Sequence, residues 1–161
     1  MIDIFDHNDT YYTGPPLNED RVRQAERSLG VRLPSSYLAV LKKRNGGLVV
    51  TNCFPTRFAT SWADDHFEVR ALLGIGGSNG IDAGNGQGSA DLIKEWGYPD
   101  IGLVICDMPS GGHDVVMLDY SSCGSLGEPS VVYVDEDRVP RTIAESFAQF
   151  IENLRRCDDC D

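Results

Sequence analysis

The sequence predicts an α+β fold, because helices come first, a series of extended apolar runs follows, and one helix closes the chain. Two of the runs, VVML at 115–118 and VVYV at 131–134, are apolar at every position. Such runs are typical of central strands that are covered on both faces. Since the helices and strands are grouped rather than alternating, we expect a central antiparallel sheet with helices packed on it.

The first helix is predicted from its two ends. Asn18 is a favourable N-cap residue and Gly30 a favourable C-cap residue. Between them, Val22, Ala25 and Leu29 recur at helical spacing and form one apolar face. A second helix is expected to begin at residues 33–34 and to end at the Asn-Gly-Gly of residues 45–47, with cations in its last turn where the helix dipole favours them.

Extended runs and two further helices complete the predicted elements. The runs lie at 48–54, 67–73, 101–106, 115–120 and 131–134. A short helix is expected over Ser89–Trp96, and residues 107–112 fit a hairpin loop. For the last helix, Thr142 and Glu145 are interpreted as a capping box, and its apolar face is Ile143, Phe147, Phe150, Ile151 and Leu154.

The chain is acidic, with 25 acidic against 14 basic residues and a formal charge of −11 over 161 residues. This charge argues against nucleic acid or an anionic membrane as a ligand, since both are polyanions. It favours a basic protein partner, although the same acidity is also explained by solubility alone. The expected organisation is a loosely packed lead-in at 1–17, a single domain at 18–155 and an acidic tail at 156–161.

A cytoplasmic location is expected from two observations. The N-terminal residues MIDIFDHNDT have acids where a signal peptide needs a basic region, and no run approaches the length of a membrane span. The five cysteines are odd in number and widely spread, which does not suggest a disulfide framework. Cys53 and Cys106 lie in apolar runs and are interpreted as buried thiols.

The stretch GIGGSNGIDAGNGQG at 74–88 contains a literal G-x-S-x-G around Ser78. A nucleophile elbow needs a helix directly after the serine, and the glycines that follow cannot begin one cheaply. The spacing also fits neither a dinucleotide fingerprint nor a Walker loop. As a calcium loop it could use Asp82 as a first ligand, but the third and fifth positions are Gly84 and Gly86, which offer no side-chain oxygen. We therefore interpret the stretch as a long glycine-rich surface loop whose backbone adopts positive φ repeatedly. Long loops of this kind are often used for binding.

Two further clusters contain residue types that bind metals. The first is His113 and Asp114 with Asp107 and Asp119, but Asp114 and Asp119 would point to opposite faces of a strand. Asp114 is better explained as an aspartate that closes a turn at the start of a strand. The pair Cys157 and Cys160 is a single C-x-x-C, and two thiolates cannot complete a tetrahedral zinc site. We expect no metal, no cofactor and no catalytic residue, and a small hydrolase using Ser78 or a metal near His113 is the least favoured function.

The remaining candidates form a partner-binding set. Trp62, if exposed, is an aromatic anchor of the kind that interfaces favour. The acids Asp64, Asp65, Asp107 and Asp135 are candidate contacts for a basic partner, and a solvated acidic face is the alternative.

Several motifs, in order along residues 18–154, resemble the SUKH superfamily. After Glu26 they are LGVxLPxxY at 29–37, NGG at 45–47, IG at 75–76, GGHDVVMLDY at 111–120, GEPxVVYVD at 127–135 and IAxSFxxFI at 143–151. This superfamily includes fungal regulators of cell-wall synthesis and bacterial immunity proteins. The resemblance implies an α+β domain with no known cofactor and no enzymatic activity. It implies a protein that binds and neutralises a toxin, often a nuclease, or alternatively a regulatory or scaffold module with another partner. The glycine stretch and the acidic tail depart from the family pattern.

Overall fold

The computed structural model describes residues 3–157. The helices are α1 Glu19–Leu29, α2 Ser35–Lys43, α3 Ser89–Trp96 and α4 Phe147–Asn153. The strands are β1 Gly47–Leu48, β2 Cys53–Pro55, β3 His66–Glu68, β4 Ala71–Leu72, β5 Gly102–Val104, β6 Cys106–Asp107, β7 Val115–Asp119, β8 Ser130–Val134 and β9 Pro140–Ala144. Within these residues, no helix is both long and apolar enough to cross a bilayer.

All of the strand pairs are antiparallel, which confirms the predicted α+β class. The largest sheet has the order β5-β7-β8-β9, and smaller sheets have the orders β1-β4-β6 and β2-β3. Strands β7 and β8 lie in the interior of the four-stranded sheet and are almost entirely buried. Burial on both faces of the sheet therefore explains why residues 115–118 and 131–134 are apolar at every position, as the sequence predicted.

Stacked aromatic rings join β2, β3 and α4 to the main sheet. Phe54 of β2 stacks on Phe150 of α4 at 5.3 Å, and Phe67 of β3 stacks on Tyr133 of β8 at 4.3 Å. Aromatic pairs at such distances add to the hydrophobic stabilisation. This packing fixes the hairpin β2-β3, and hence the loop between its strands, against the body of the domain.

The first helix has the predicted caps. The Asn18 side chain accepts a hydrogen bond from the backbone N–H of Arg21, and Gly30 adopts a left-handed conformation with φ of 72°. The Glu26 carboxylate accepts from the backbone N–H of Leu33 at 2.7 Å and so joins α1 to the turn before α2. In the Asn-Gly-Gly segment, Asn45 bonds both backbone groups of Ile75. The motif residues thus connect segments that are distant in sequence.

The end of the chain folds differently from the expectation. Thr142 and Ile143, predicted as helical, belong to β9, and α4 begins only at Phe147. Ser146 is the actual N-cap, since its hydroxyl accepts from the backbone N–H of Gln149 at 3.2 Å. The predicted capping box is therefore wrong, because pairing with β8 overrides the local helix signal.

The segment before α1 is packed, contrary to the expected loose lead-in. Ile4 and Phe5 are buried in the core, and Phe5 forms a β-bridge with Val49. Arg44 follows α2 and donates hydrogen bonds to the Thr13 hydroxyl and the Asp9 carbonyl. This cation therefore holds the lead-in in place in addition to any interaction with the helix dipole.

The cysteine interpretation is corrected at one position. Cys106 is a buried free thiol, as predicted. Cys53 is also buried, but it forms a disulfide with Cys157, 104 residues further along the chain. Cys160 and the last acids of the predicted tail, at 158, 159 and 161, lie outside the described residues.

Candidate functional site

Trp62 is exposed on the loop that joins β2 to β3, residues 56–65, called here the Trp62 loop. Its side chain is 56% exposed, which is unusual for a tryptophan. The loop is fixed by Thr60, whose hydroxyl accepts from the backbone N–H groups of Trp62 and Ala63 and donates to the carbonyl of His66. The tryptophan is therefore held outward by a defined turn.

Asp135 ties the tip of this loop to the main sheet. It directly follows β8, and its carboxylate accepts from both the backbone N–H and the hydroxyl of Ser61. Asp64 and Asp65 are exposed on the same loop. The structure thus brings four of the five predicted contacts together: Trp62, Asp64, Asp65 and Asp135.

The fifth predicted contact, Asp107, lines a cavity outside the Trp62 loop. Its carboxylate accepts from the Tyr12 hydroxyl at 2.6 Å. Burial, and then this carboxylate, raise the pKa of Tyr12 to about 12, so the phenol stays protonated and donates. The cavity, of about 300 Å³, is also lined by Tyr11, Trp96 and Tyr98. Asp107 therefore holds the lead-in through Tyr12, and the cavity that it lines includes no residue of the Trp62 loop.

Asp114 has the turn-closing role that the sequence favoured. It is buried, accepts from the hydroxyls of Ser110 and Tyr133 at 2.6 Å each, and bonds Ser110 through its own backbone N–H. Burial raises the pKa of the Asp114 carboxyl, and the two hydroxyl bonds act against that rise. These bonds tie the loop before β7 to the neighbouring strand β8.

Ser78 of the glycine stretch and His113 contact different residues. Within residues 3–157, no hydrogen bond joins the hydroxyl of Ser78 to His113 or to a carboxylate. His113 instead lies beside the ring of Trp96. Positive φ occurs at Gly76 and Gly86 of this stretch, so the backbone visits that region as expected.

Sequence reasoning missed two groups at the site. Thr60 and Ser61 fix the loop, and a Thr-Ser pair just before an isolated tryptophan is a local signal of a hydroxyl-bonded turn. Tyr11 is 70% exposed and lines the same cavity as Asp107, and the sequence does not single it out because its segment is predicted to be loosely packed.

The fold and this site together define a small α+β domain with an exposed aromatic-acidic loop. The model of the SUKH_6 family, described as SMI1-KNR4 cell-wall, matches residues 19–151. The chain therefore belongs to the SUKH superfamily, as the motifs indicated. Members of the family are generally non-enzymatic, and membership fits an immunity or regulatory role in the broad sense.

No curated protein and no solved structure matches the chain significantly.

Proposed function

We propose that this chain is an immunity-type protein that binds a basic toxin domain, such as a nuclease. It neutralises that domain by covering its substrate-binding surface. The contact surface in this proposal is Trp62 with Asp64, Asp65 and Asp135. Family membership supports the class of function. The observation that carries the choice of surface is the exposed, rigidly held Trp62 with carboxylates on the same loop.

The rigid loop supports binding because little conformational entropy is lost when it docks. The Trp62 turn is fixed by Thr60 and Asp135 before any partner arrives. Preorganised side chains avoid much of the ordering cost of association. A central tryptophan surrounded by polar residues is the usual arrangement of an interface hot spot.

The charge supports the choice of partner. A nuclease domain has a basic surface because its substrate is a polyanion. A chain of formal charge −11 attracts such a surface over distance and so raises the association rate. Inhibition then needs no chemistry from the chain, since an occupied surface cannot admit nucleic acid.

The test has two stages. The full-length chain is used to capture partners from its source cell, and each basic domain recovered is expressed alone to measure whether it arrests growth. Co-expression of the chain is expected to restore growth and to inhibit the isolated domain in vitro, with an affinity that falls as salt is added. Trp62→Ala should weaken rescue, whereas Leu126→Ala, at another exposed apolar residue, should preserve it at wild-type strength.

Two outcomes contradict the proposal. Rescue by the Trp62→Ala variant at wild-type strength would place the interface elsewhere. Capture of a partner that is harmless when expressed alone would favour the regulatory or scaffold alternative.

A further inference from the structure

Four side chains with metal-ligand atoms converge beside the Trp62 loop. The ligand atoms of Cys53, His66 and Glu68 all lie within 4.8 Å of one another. The sulfur of Cys157, bonded to Cys53, lies 3.3 Å from a carboxylate oxygen of Glu68. Two sulfurs, one imidazole and one carboxylate are a ligand set that zinc accepts in tetrahedral geometry.

The backbone holds the two cysteines together independently of the bond between them. Arg155 pairs with Cys53 as a β-bridge, with N–H to carbonyl distances of 2.7 and 2.8 Å. Across the hairpin, Cys53 is the register partner of Glu68. Reduction of the disulfide would therefore leave both thiols close to His66 and Glu68.

His66 also has the outer partner that zinc-binding histidines commonly have. Its Nδ1 lies 2.9 Å from a carboxylate oxygen of Asp65. This bond occupies Nδ1 and leaves Nε2 as the nitrogen that remains for a metal. Two of the four side chains, His66 and Glu68, also line a cavity of about 150 Å³ together with Trp62 and Pro109.

We propose that Cys53, His66, Glu68 and Cys157 form a zinc site when the disulfide is reduced, so that this chain exists in a disulfide form and a zinc form. The site goes beyond the proposed function and does not depend on it.

A thiol reductant can convert the disulfide form into the form that binds zinc. A dithiol gives two electrons and two protons to the Cys53–Cys157 bond, which yields two protein thiols and the oxidised reductant. Zn²⁺ then binds both sulfurs as thiolates, and two protons are released to solvent. Because disulfide sulfurs are no longer thiolates, the oxidised form lacks two of the four ligands.

The experiment compares the oxidised and reduced full-length chain. Each form is titrated with Co²⁺, whose tetrahedral thiolate complexes absorb in the visible and near ultraviolet, and Zn²⁺ is then used to displace the cobalt. We expect one tightly bound ion per reduced chain and no such spectrum from the oxidised chain. Zinc should also raise the melting temperature of the reduced form alone.

Variants at accessible positions test the ligands without disturbing the core. His66→Ala and Glu68→Gln should each weaken zinc binding by about 10-fold or more, and Asp65→Asn by about 10-fold through its bond to His66. The matched control is Asp64→Asn, which makes the same change at the neighbouring residue and should leave the affinity unchanged. Cys123→Ser, at an exposed free cysteine, should also have no effect.

Three results would overturn the proposal. The first is a reduced chain that shows no tetrahedral cobalt spectrum. The second is binding that survives both His66→Ala and Glu68→Gln but is lost in Cys160→Ser, since the ion would then belong to the C-terminal C-x-x-C. The third is binding lost in Cys123→Ser. Circular dichroism of each variant distinguishes loss of a ligand from loss of the fold.

Discussion

The Trp62 loop and the glycine-rich loop at 74–88 are both long connections, yet they use their residues in opposite ways. The glycine loop turns inward: Ile81 is 1% exposed, its backbone N–H donates to the Gly74 carbonyl, and the Asp82 carboxylate accepts from Gly76. The Trp62 loop turns its largest side chain outward and is fixed from beneath by Thr60.

This difference shows that glycine content and binding are separate signals. Glycine at 74 allows the close approach of Asn45, since a Cβ at Gly74 would overlap the Asn45 carbonyl oxygen. The glycines therefore allow neighbouring segments to pack closely, whereas the exposed apolar ring of Trp62 indicates a surface that binds another molecule. Four variants test this distinction.

The largest expected effect is on folding, from Ile81→Ala. Truncation of this buried side chain removes apolar burial and leaves a cavity, which should lower the free energy of unfolding by about 3 kcal/mol. Urea denaturation measures the change. Leu126→Ala, at a residue that is 77% exposed, is the control, and equal losses in the two variants would mean that the glycine loop is not packed.

Trp62→Ala should have the reverse pattern. Because the ring is mainly exposed, stability should change little, whereas the affinity for the cognate domain should fall about 30-fold, or by about 2 kcal/mol. Calorimetry of the purified pair measures this change. A variant that loses stability but binds normally would make Trp62 a structural residue and would remove the contrast between the loops.

Gly76→Ala should have a smaller effect on folding. At φ of 76° an alanine is strained, which should cost about 1 kcal/mol in the free energy of unfolding. Gly84→Ala is the matched control, since Gly84 lacks a positive φ and a Cβ there would meet nothing within 4 Å. If both variants unfold at the same urea concentration, the conformation at Gly76 is not what stabilises this loop.

The smallest expected effect comes from Asp64→Asn. An exposed charge at the rim mainly steers encounter, so the association rate should fall about twofold and its salt dependence should weaken, while dissociation stays the same. Stopped-flow kinetics at several salt concentrations measures both rates. Asp100→Asn makes the same charge change at an exposed residue outside the loop, and an equal effect there would assign the steering to net charge alone.

Local signals predicted some elements well and others badly. The ends of α1 depend on Asn18 and Gly30, which act on their own backbone neighbours, and Ser89–Trp96 is helical as predicted. Strand β9 was missed because Thr142 and Ile143 also fit a helix start, and only pairing with β8 decides between the two. Of the candidate contacts, Asp107 could not be separated from the others until its bond to Tyr12 was known.

The acidic charge, the helix caps of α1, the strands that are apolar on both faces and the family were all predictable from the sequence. Each of these depends on composition or on neighbours within a few residues, where the physical effects are local. Three other features became known from the folded chain: Cys53 meets Cys157 across 104 residues, His66 and Glu68 lie beside them, and Asp135 fixes the Trp62 loop. These contacts depend on how the hairpin β2-β3 packs against the main sheet, and no local pattern specifies which distant segments that packing will bring together.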